Sequence, residues 1–473
     1  MEMNSLNSDK AHMFLCSAVS EEGKFLRTNQ IIAWLATQND MARVKIEKIK
    51  FDNLKLWETV DGRIRHSTEK FFSIDGIDVQ TNWGDIHEWQ QPIIDQPEIG
   101  YLGFIVKEFD GVLHLLAQAK IEPGNVNRVQ LSTTLQATRS NYTQAHHGNK
   151  PPYLEYFQNA KPHQILLDQL QSEQGARFLK KRNRSIIVKI EDDIPVYDNF
   201  TWLTLGQLKK LIHSDNLVNT AARTVISSIP FDTFESEIAD STNGFEHKYM
   251  QNVFLKSTLS NTGGLHSIDN IISFLTNLKS IYDLAISQVP LEKLEKWIFG
   301  ESEICHEENK YFKVIAVHVE IAGREVAQWD QPMIEAVQNG LCAFVCKPIN
   351  GLLHFAVQAK LECGNHDILE FAPTVQCLTG NYRQTEKGAL PFLDYILSAK
   401  PEQIIFDAMQ SEEGGRFFRE QNRNMIVLAE DDVSIELPDN YIWMTLHQLR
   451  TFMRFNNYLN IQARNLISAI SFV

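Results

Sequence analysis

Three side chains able to bind ligands and move protons alternate along one short run: Gln118, Lys120 and Glu122, with Asn125 just beyond. In a strand, positions i, i+2 and i+4 share a face, so this amide, ammonium and carboxylate project together. Such a set on one rigid face can orient a polyhydroxylated ligand. The plainer alternative is a solvated strand face on which Lys and Glu pair. The same pattern returns at Gln358, Lys360 and Glu362. Arg139, Asn141 and Tyr142 follow the first run, and Asn381 and Tyr382 follow the second, with no Arg at the matching place. A tuned Tyr donates or accepts protons and Arg clamps phosphate, whereas a packed turn is the structural alternative. Gln171 to Arg177 and Gln410 to Arg416 come next, each trailed by an Asn-Arg pair ending at Arg184 and Arg423. Two arginines and two amides near a Gly turn suit a diphosphate, or salt bridges.

Other residues carry less. His66, His306, His114 and His354 recur singly, as satisfied structural histidines do. Trp57, Trp297, Trp89 and Trp329 read as core, with Trp89, beside Gln91 and Pro92, placed to border a pocket. The six cysteines include no Cys-x-x-Cys pair, and no metal-ligating spacing, Walker A loop, GxGxxG or GxSxG occurs.

The elements that position these groups follow from period and punctuation. Leu102–Glu108 is a compact apolar strand, Asp110-Gly111 a hairpin turn, and Val112–Ile121 the returning strand that carries the polar set. Phe71–Thr81 alternates as a strand, Ser185–Ile190 reads as another, and Ile31–Thr37 opens with a helix. His163–Gln171 reads as helical, from Ile165, Leu166 and Leu170 on one side. Thr204 with Gln207, and Thr445 with Gln448, form capping-box signatures before two helices, and a last helix spans about Asn216–Ile229. Strands in the middle and helices at the end make each unit an α+β domain.

The polar runs belong to a tandem repeat. GVLHLLAQAKIEPGN from Gly111 meets GLLHFAVQAKLECGN from Gly351 at an offset of 240, with nine of fifteen positions identical. The offset slips to 239 near Lys161 and Lys400, then to 241 near Trp202 and Trp443, as loop insertions do. The reading is an N-terminal arm 1–30, repeat 1 over 31–230, a connector 231–270 and repeat 2 over 271–473, giving two globular domains. With 43% hydrophobic residues in 473, real cores are expected. A formal charge of −14 argues against nucleic acid as a partner, though not against a local basic pocket. No apolar run nears the roughly 18 residues that span a bilayer, and the polar first residues lack a signal-peptide core, so the expectation is a cytoplasmic protein with no membrane contact.

Taken together, EWQQPIIDQPEIGYLGFIV, FDGVLHLLAQAKIEPGN, VQLSTTLQATRSNY and YLEYF in copy one resemble the NDP-hexose 2,3-dehydratase family. QWDQPMI, INGLLHFAVQAKLECGN, LEFAPTVQCLTGNY, PFLDYIL, SEEGGRFF and WMTLHQL in copy two do so as well, in family order over nearly the whole chain. The resemblance implies two Nudix-hydrolase-like domains lacking the Nudix box, in a homodimer without cofactor. It implies loss of water across C2 and C3 of dTDP-4-keto-6-deoxy-D-glucose, or a close NDP-4-keto-hexose, on the way to 2-deoxysugars. A separate NAD(P)H-dependent 3-ketoreductase then traps the 3,4-diketo product.

For that chemistry the residues suggest Glu122 as the base at C3, with Lys120 or Tyr142 polarising the C4 ketone. Arg139, Arg177 and Arg184 would hold the diphosphate, and Trp89, Gln118, Asn125, Arg128 and Asn141 would complete the substrate site. Gln358, Lys360, Glu362, Tyr382, Arg416 and Arg423 form a possible second site. Copy one is favoured as catalytic for its extra cations: Ile368 stands in place of Arg128, and Gly380 leads into Asn381 and Tyr382 with no Arg in place of Arg139. Activity in both copies is the competitor. Two other readings are a silent sugar-nucleotide-binding protein on the same fold and a Nudix-type hydrolase. Against the latter, Ser411 to Gly415 resembles only the end of a Nudix box and lacks its upstream Arg-Glu.

Overall fold

The computed structural model describes residues 2–143, 149–231, 249–323, 326–379, 390–430 and 432–472. Each copy builds a seven-stranded mixed sheet. In copy one the order is Ile165–Ser172, Arg182–Lys189, Gly100–Phe109, Val112–Ile121 and Phe200–Thr204, with Val129–Ser132 and Leu135–Ala137 paired at its centre. All neighbours are antiparallel except Arg182–Lys189 beside Gly100–Phe109. Copy two repeats this order from Ile404–Ser411 to Tyr441–Thr445. The expected hairpin forms, with Asp110 and Gly111 both at positive φ. Both capping boxes close: Gln207 N donates to Thr204 Oγ1 at 3.1 Å and Gln448 N to Thr445 Oγ1 at 3.2 Å. Among the described residues, no helix is long and apolar enough to cross a membrane.

One element differs in type. The stretch expected to be helical from His163 is a 3-10 turn, Pro162–Gln164, followed by the strand Ile165–Ser172. A register irregularity between Ile165 and Leu167 buries both Leu166 and Leu167. That bulge breaks the period-2 alternation, so the run imitates one helical face.

The copies do not stand apart as two separate globules. Each also has a smaller sheet, and each lends its first strand to the other's. Val44–Ile49 of copy one lies antiparallel on Phe312–Ile321, while Leu284–Val289 of copy two lies on Ser73–Thr81. Without these additions both sheets would present an open edge of unpaired N–H and C=O groups. The helices Thr220–Ser227 and Ile461–Ser468 pack against each other, and Asn465 Nδ2 donates to Thr220 Oγ1 at 2.9 Å. Phe104, Leu115 and Ile226 share one continuous core with Phe344, Phe355 and Ile467. Buried Arg223 donates to the Ser411 carbonyl and buried Arg464 to the Ser172 carbonyl, a reciprocal pair across a pseudo-two-fold axis.

The segments read as arm and connector take part in the repeat. The helix Glu2–Ala18 packs on Val112–Ile121, with Ser17 Oγ donating to the Leu113 carbonyl and accepting from Leu205 N. Tyr249–Leu259 does the same on Leu352–Leu361 through Ser257. Residues 232–248 of the connector lie outside the described residues.

At the axis the backbones touch. Gly124 N donates to the Gly414 carbonyl at 2.6 Å, and Gly364 N to the Gly175 carbonyl at 2.7 Å. A Cβ on Gly124 would lie 1.7 Å from the Phe417 carbonyl oxygen. Gly124→Ala must therefore push the copies apart and break that bond, at a cost of roughly 2–4 kcal/mol. Urea unfolding of the variant measures this, and an unchanged midpoint would contradict the contact.

Candidate active site

A cavity of about 560 Å³ opens above the polar face of copy one. Copy one supplies its floor: Lys120 and Glu122 from the hairpin strand and its end, Gln136, Asn141, and Lys181. Copy two supplies the opposite wall: His318, Trp329, Asp330, Gln331, Glu413 and Arg416. The cavity is thus a product of the interlocked copies.

The floor is tightly organised. Lys120 Nζ stands 3.9 Å from Glu122 Oε1 and donates to the Gln136 carbonyl at 3.2 Å. Gln136 Nε2 donates to Glu122 Oε1 at 3.2 Å and, across the copy boundary, to Glu413 Oε1 at 3.5 Å. Ser132 Oγ and Asn219 Nδ2 donate to Gln136 Oε1, which fixes the amide's orientation. Lys181 Nζ donates to the Glu98 carbonyl, and burial pulls its pKa down to about 8. Burial, followed by the neighbouring Glu122, pushes the Glu413 carboxyl up to about 8. Neither Gln136, Lys181, Glu413 nor His318 emerged from the sequence as a site residue. Gln136 does have a counterpart in the second copy, Gln376, 240 residues on.

On the wall, Trp329 Nε1 donates to Gln331 Oε1 at 2.8 Å, and Gln331 Nε2 to the Gly415 carbonyl at 2.7 Å. The Arg416 guanidinium stacks 4.0 Å from the Phe72 ring centroid. His318 Nδ1 lies 2.6 Å from Asp330 Oδ1, whose other oxygen accepts from Lys55 N at 2.8 Å. His66 also lines the cavity, edge-on to Trp57.

The copies exchange two expected residues. Trp89 and Arg177 do not line this cavity. Trp89 packs with Ile77, Val79 and Cys363, and Arg177 stacks 4.1 Å over Phe312 beside Glu362. Both serve the polar face of copy two, just as Trp329 and Arg416 serve copy one. The reason is the pseudo-two-fold axis: each copy's downstream loop crosses to its twin. Arg416, expected in a second site, therefore belongs to the first.

Other expected residues lie outside the cavity. Tyr142 lines an adjoining open cleft of about 570 Å³ that shares Gly100 and Tyr101 with it. Burial raises the Tyr142 hydroxyl further above neutrality, which does not suit it to acid–base work. Arg184 lines the same cleft, held bidentate by Asp168 at 2.7 Å to each oxygen. Arg139 and Arg128 are exposed, away from the cavity lining. Asn125 Nδ2 closes its own turn onto the Arg128 carbonyl at 2.8 Å. Gln118, half-buried opposite Ser132, also falls outside.

In copy two, Gln376 Nε2 donates to Glu362 Oε1 at 2.7 Å and Lys360 Nζ to the Gln376 carbonyl at 3.4 Å, so the polar floor is preserved. Gln358 is buried and donates to the Pro373 carbonyl, and Arg423 pairs with Asp407 as Arg184 does with Asp168. Tyr382 lies outside the described residues. The surroundings of that floor differ: Gln174 replaces Glu413, Glu420 replaces Lys181, and Asp78 with Gln90 replaces His318 with Asp330.

Among known proteins, the family model described as NDP-hexose 2,3-dehydratase matches residues 28–229 and again 268–470. A dTDP-4-dehydro-6-deoxy-alpha-D-glucopyranose 2,3-dehydratase of Saccharopolyspora spinosa is 42% identical over 471 residues, spanning 98% of this chain and 96% of that protein. Proteins described in the same words from Amycolatopsis orientalis and Streptomyces violaceoruber are 39% identical over 471 residues and 40% over 443. Those alignments span 98% and 93% of this chain, and 94% and 96% of the relatives.

Proposed function

We infer the reaction from family and site together, since this chain belongs to the NDP-hexose 2,3-dehydratase family. The chain dehydrates dTDP-4-keto-6-deoxy-D-glucose, or a close NDP-4-keto-hexose, across C2 and C3, as its relatives' descriptions suggest. The observation that carries this reading is the joint placement of Lys120, Glu122 and Gln136 on the floor of a cavity roofed by Trp329.

The C4 ketone acidifies the C3 hydrogen, so a carboxylate suffices as base. Glu122 takes that role. Charge then develops on the ketone oxygen, and the ammonium groups of Lys120 and Lys181 are the cavity's donors for it. With its pKa near 8, Lys181 stays largely protonated at neutral pH. Trp329 covers a face of the hexose. The nucleoside diphosphate runs into the adjoining cleft past Tyr101, Tyr142 and Arg184, where Asp168 offsets part of the arginine charge. The product enol rearranges to a 3,4-diketo sugar, which a separate NAD(P)H-dependent 3-ketoreductase consumes. Copy one is the working copy, because it alone combines this floor with Lys181 and Glu413. Homodimeric assembly and a Nudix-hydrolase-like core are carried over with the family resemblance. The mixed sheet flanked by Thr220–Ser227 agrees with such a core.

Incubating the chain with dTDP-4-keto-6-deoxy-D-glucose and a ketoreductase should yield a product lighter by one water. Binding without that loss supports a silent binding protein, and release of nucleoside monophosphate supports a hydrolase. Trp329→Ala should raise KM about tenfold or more, since tenfold corresponds to about 1.4 kcal/mol, within reach of one aromatic contact. Trp89→Ala should leave KM nearly unchanged. Equal effects from the two substitutions would reject the crossed arrangement.

A further inference from the structure

We propose that Glu413, a residue of copy two, is the general acid of the copy-one site, sharing one proton with Glu122 across the copy boundary and giving it to the departing 2-hydroxyl. The proposal rests on the dehydratase reading and adds a catalytic residue from the other copy. Both carboxyls line the cavity, and Glu122 stands close enough to Glu413 to raise its carboxyl. Gln136 Nε2 donates to one oxygen of each, so its amide bridges the pair. Glu413 Oε1 also accepts from Gly415 N at 3.0 Å, whereas its Oε2 is buried and meets no donor. Two carboxylates in contact cannot both stay ionised, and one proton between them supplies the missing donor. The charged groups around the pair are Lys120 beside Glu122, and Glu173, Lys181 and Arg416 beside Glu413. The donor-less, buried Oε2 of Glu413 gives the shared proton a place on that residue, and burial with the neighbouring Glu122 raises its carboxyl in the same sense.

The proton balance closes without an outside donor. Glu122 takes the C3 hydrogen as a proton, and the C–H electrons form the C3–C4 enolate. Those electrons then form the C2–C3 double bond as the C2–O bond breaks. Glu413 protonates the leaving hydroxyl, which departs as water. The pair still holds one proton, now on Glu122, and its return to Glu413 resets the site. In copy two the acid's position holds Gln174, an amide that cannot play this part, which accounts for a preserved floor without chemistry.

The test is Glu413→Gln, a residue that the fold already accepts at the matching position of copy one. The wild type, Glu413→Gln and Glu122→Gln are incubated with the 4-keto substrate in D2O, with melting temperatures recorded alongside. Glu413→Gln should lose water at least 100-fold more slowly while recovered substrate still takes up deuterium at C3. Glu122→Gln should show neither. On the 2-deoxy-2-fluoro analogue, whose fluoride leaves without an acid, Glu413→Gln should eliminate within about tenfold of the wild-type rate. Water loss within tenfold of wild type on the natural substrate overturns the proposal. So does loss of C3 exchange in a variant that melts normally, or failure of the fluoro analogue to rescue it. A wild type that never loses water instead defeats the dehydratase reading itself, a separate result.

Discussion

Glu122→Gln is expected to lower turnover roughly 10³-fold and to end exchange of the substrate's C3 hydrogen with solvent, in line with the 10²–10⁴ typical of a positioned base. The side chain is buried at the end of the hairpin strand, and its Oε1 accepts from Gln136 and faces Lys120. Gln keeps the shape and can still accept there through its carbonyl oxygen, so the floor persists while the basic oxygen pair is lost. Removing one carboxylate also relieves the contact with Glu413, so stability should stay within about 1–2 kcal/mol of wild type. Steady-state turnover, deuterium uptake followed by mass spectrometry, and a urea melt measure the three quantities. Wild-type exchange in a folded variant would remove Glu122 from its role.

The second large effect concerns the chain as a whole. Residues 1–231 expressed alone should not give a folded monomer. Every residue of Thr220–Ser227 is buried, and its twin Ile461–Ser468 is part of what buries it. Separation also strips Leu284–Val289 from Ser73–Thr81 and leaves buried Arg223 without its acceptor on Ser411. Exposing Val225, Ile226 and neighbouring core residues costs about 1.5–3 kcal/mol each, and a domain's net stability is only about 5–15 kcal/mol. The half-chain should therefore aggregate or pair with itself, the pseudo-two-fold becoming a true one. Supplying residues 249–473 in trans should restore a soluble one-to-one complex. Sedimentation with circular dichroism decides this, and a monomeric half with a cooperative melt would refute the shared core.

Much of this molecule was legible from local patterns. The duplication, the Val112–Ile121 hairpin strand, the Thr204 and Thr445 caps and the Lys120–Glu122 pair all follow from spacing. Side-chain period and turn chemistry act within a few residues. The bulged strand at Ile165 escaped because a single irregularity turns period 2 into an imitation of a helix. The exposed Arg128 and Arg139 drew attention as cations, yet charge alone does not say whether a side chain faces a cavity.

The sequence alone determined that two related units exist, that each carries a Gln-x-Lys-x-Glu strand face, and that the chain resembles a dehydratase family. Only the tertiary structure decided that each unit's site is completed by the other. Trp329, Arg416 and Glu413 reach Lys120 and Glu122 because strands and loops cross a pseudo-two-fold axis, bringing together residues some 200–300 positions apart. No local periodicity encodes such a meeting. It is set by which apolar faces and sheet edges find cover, and here each copy covers the other.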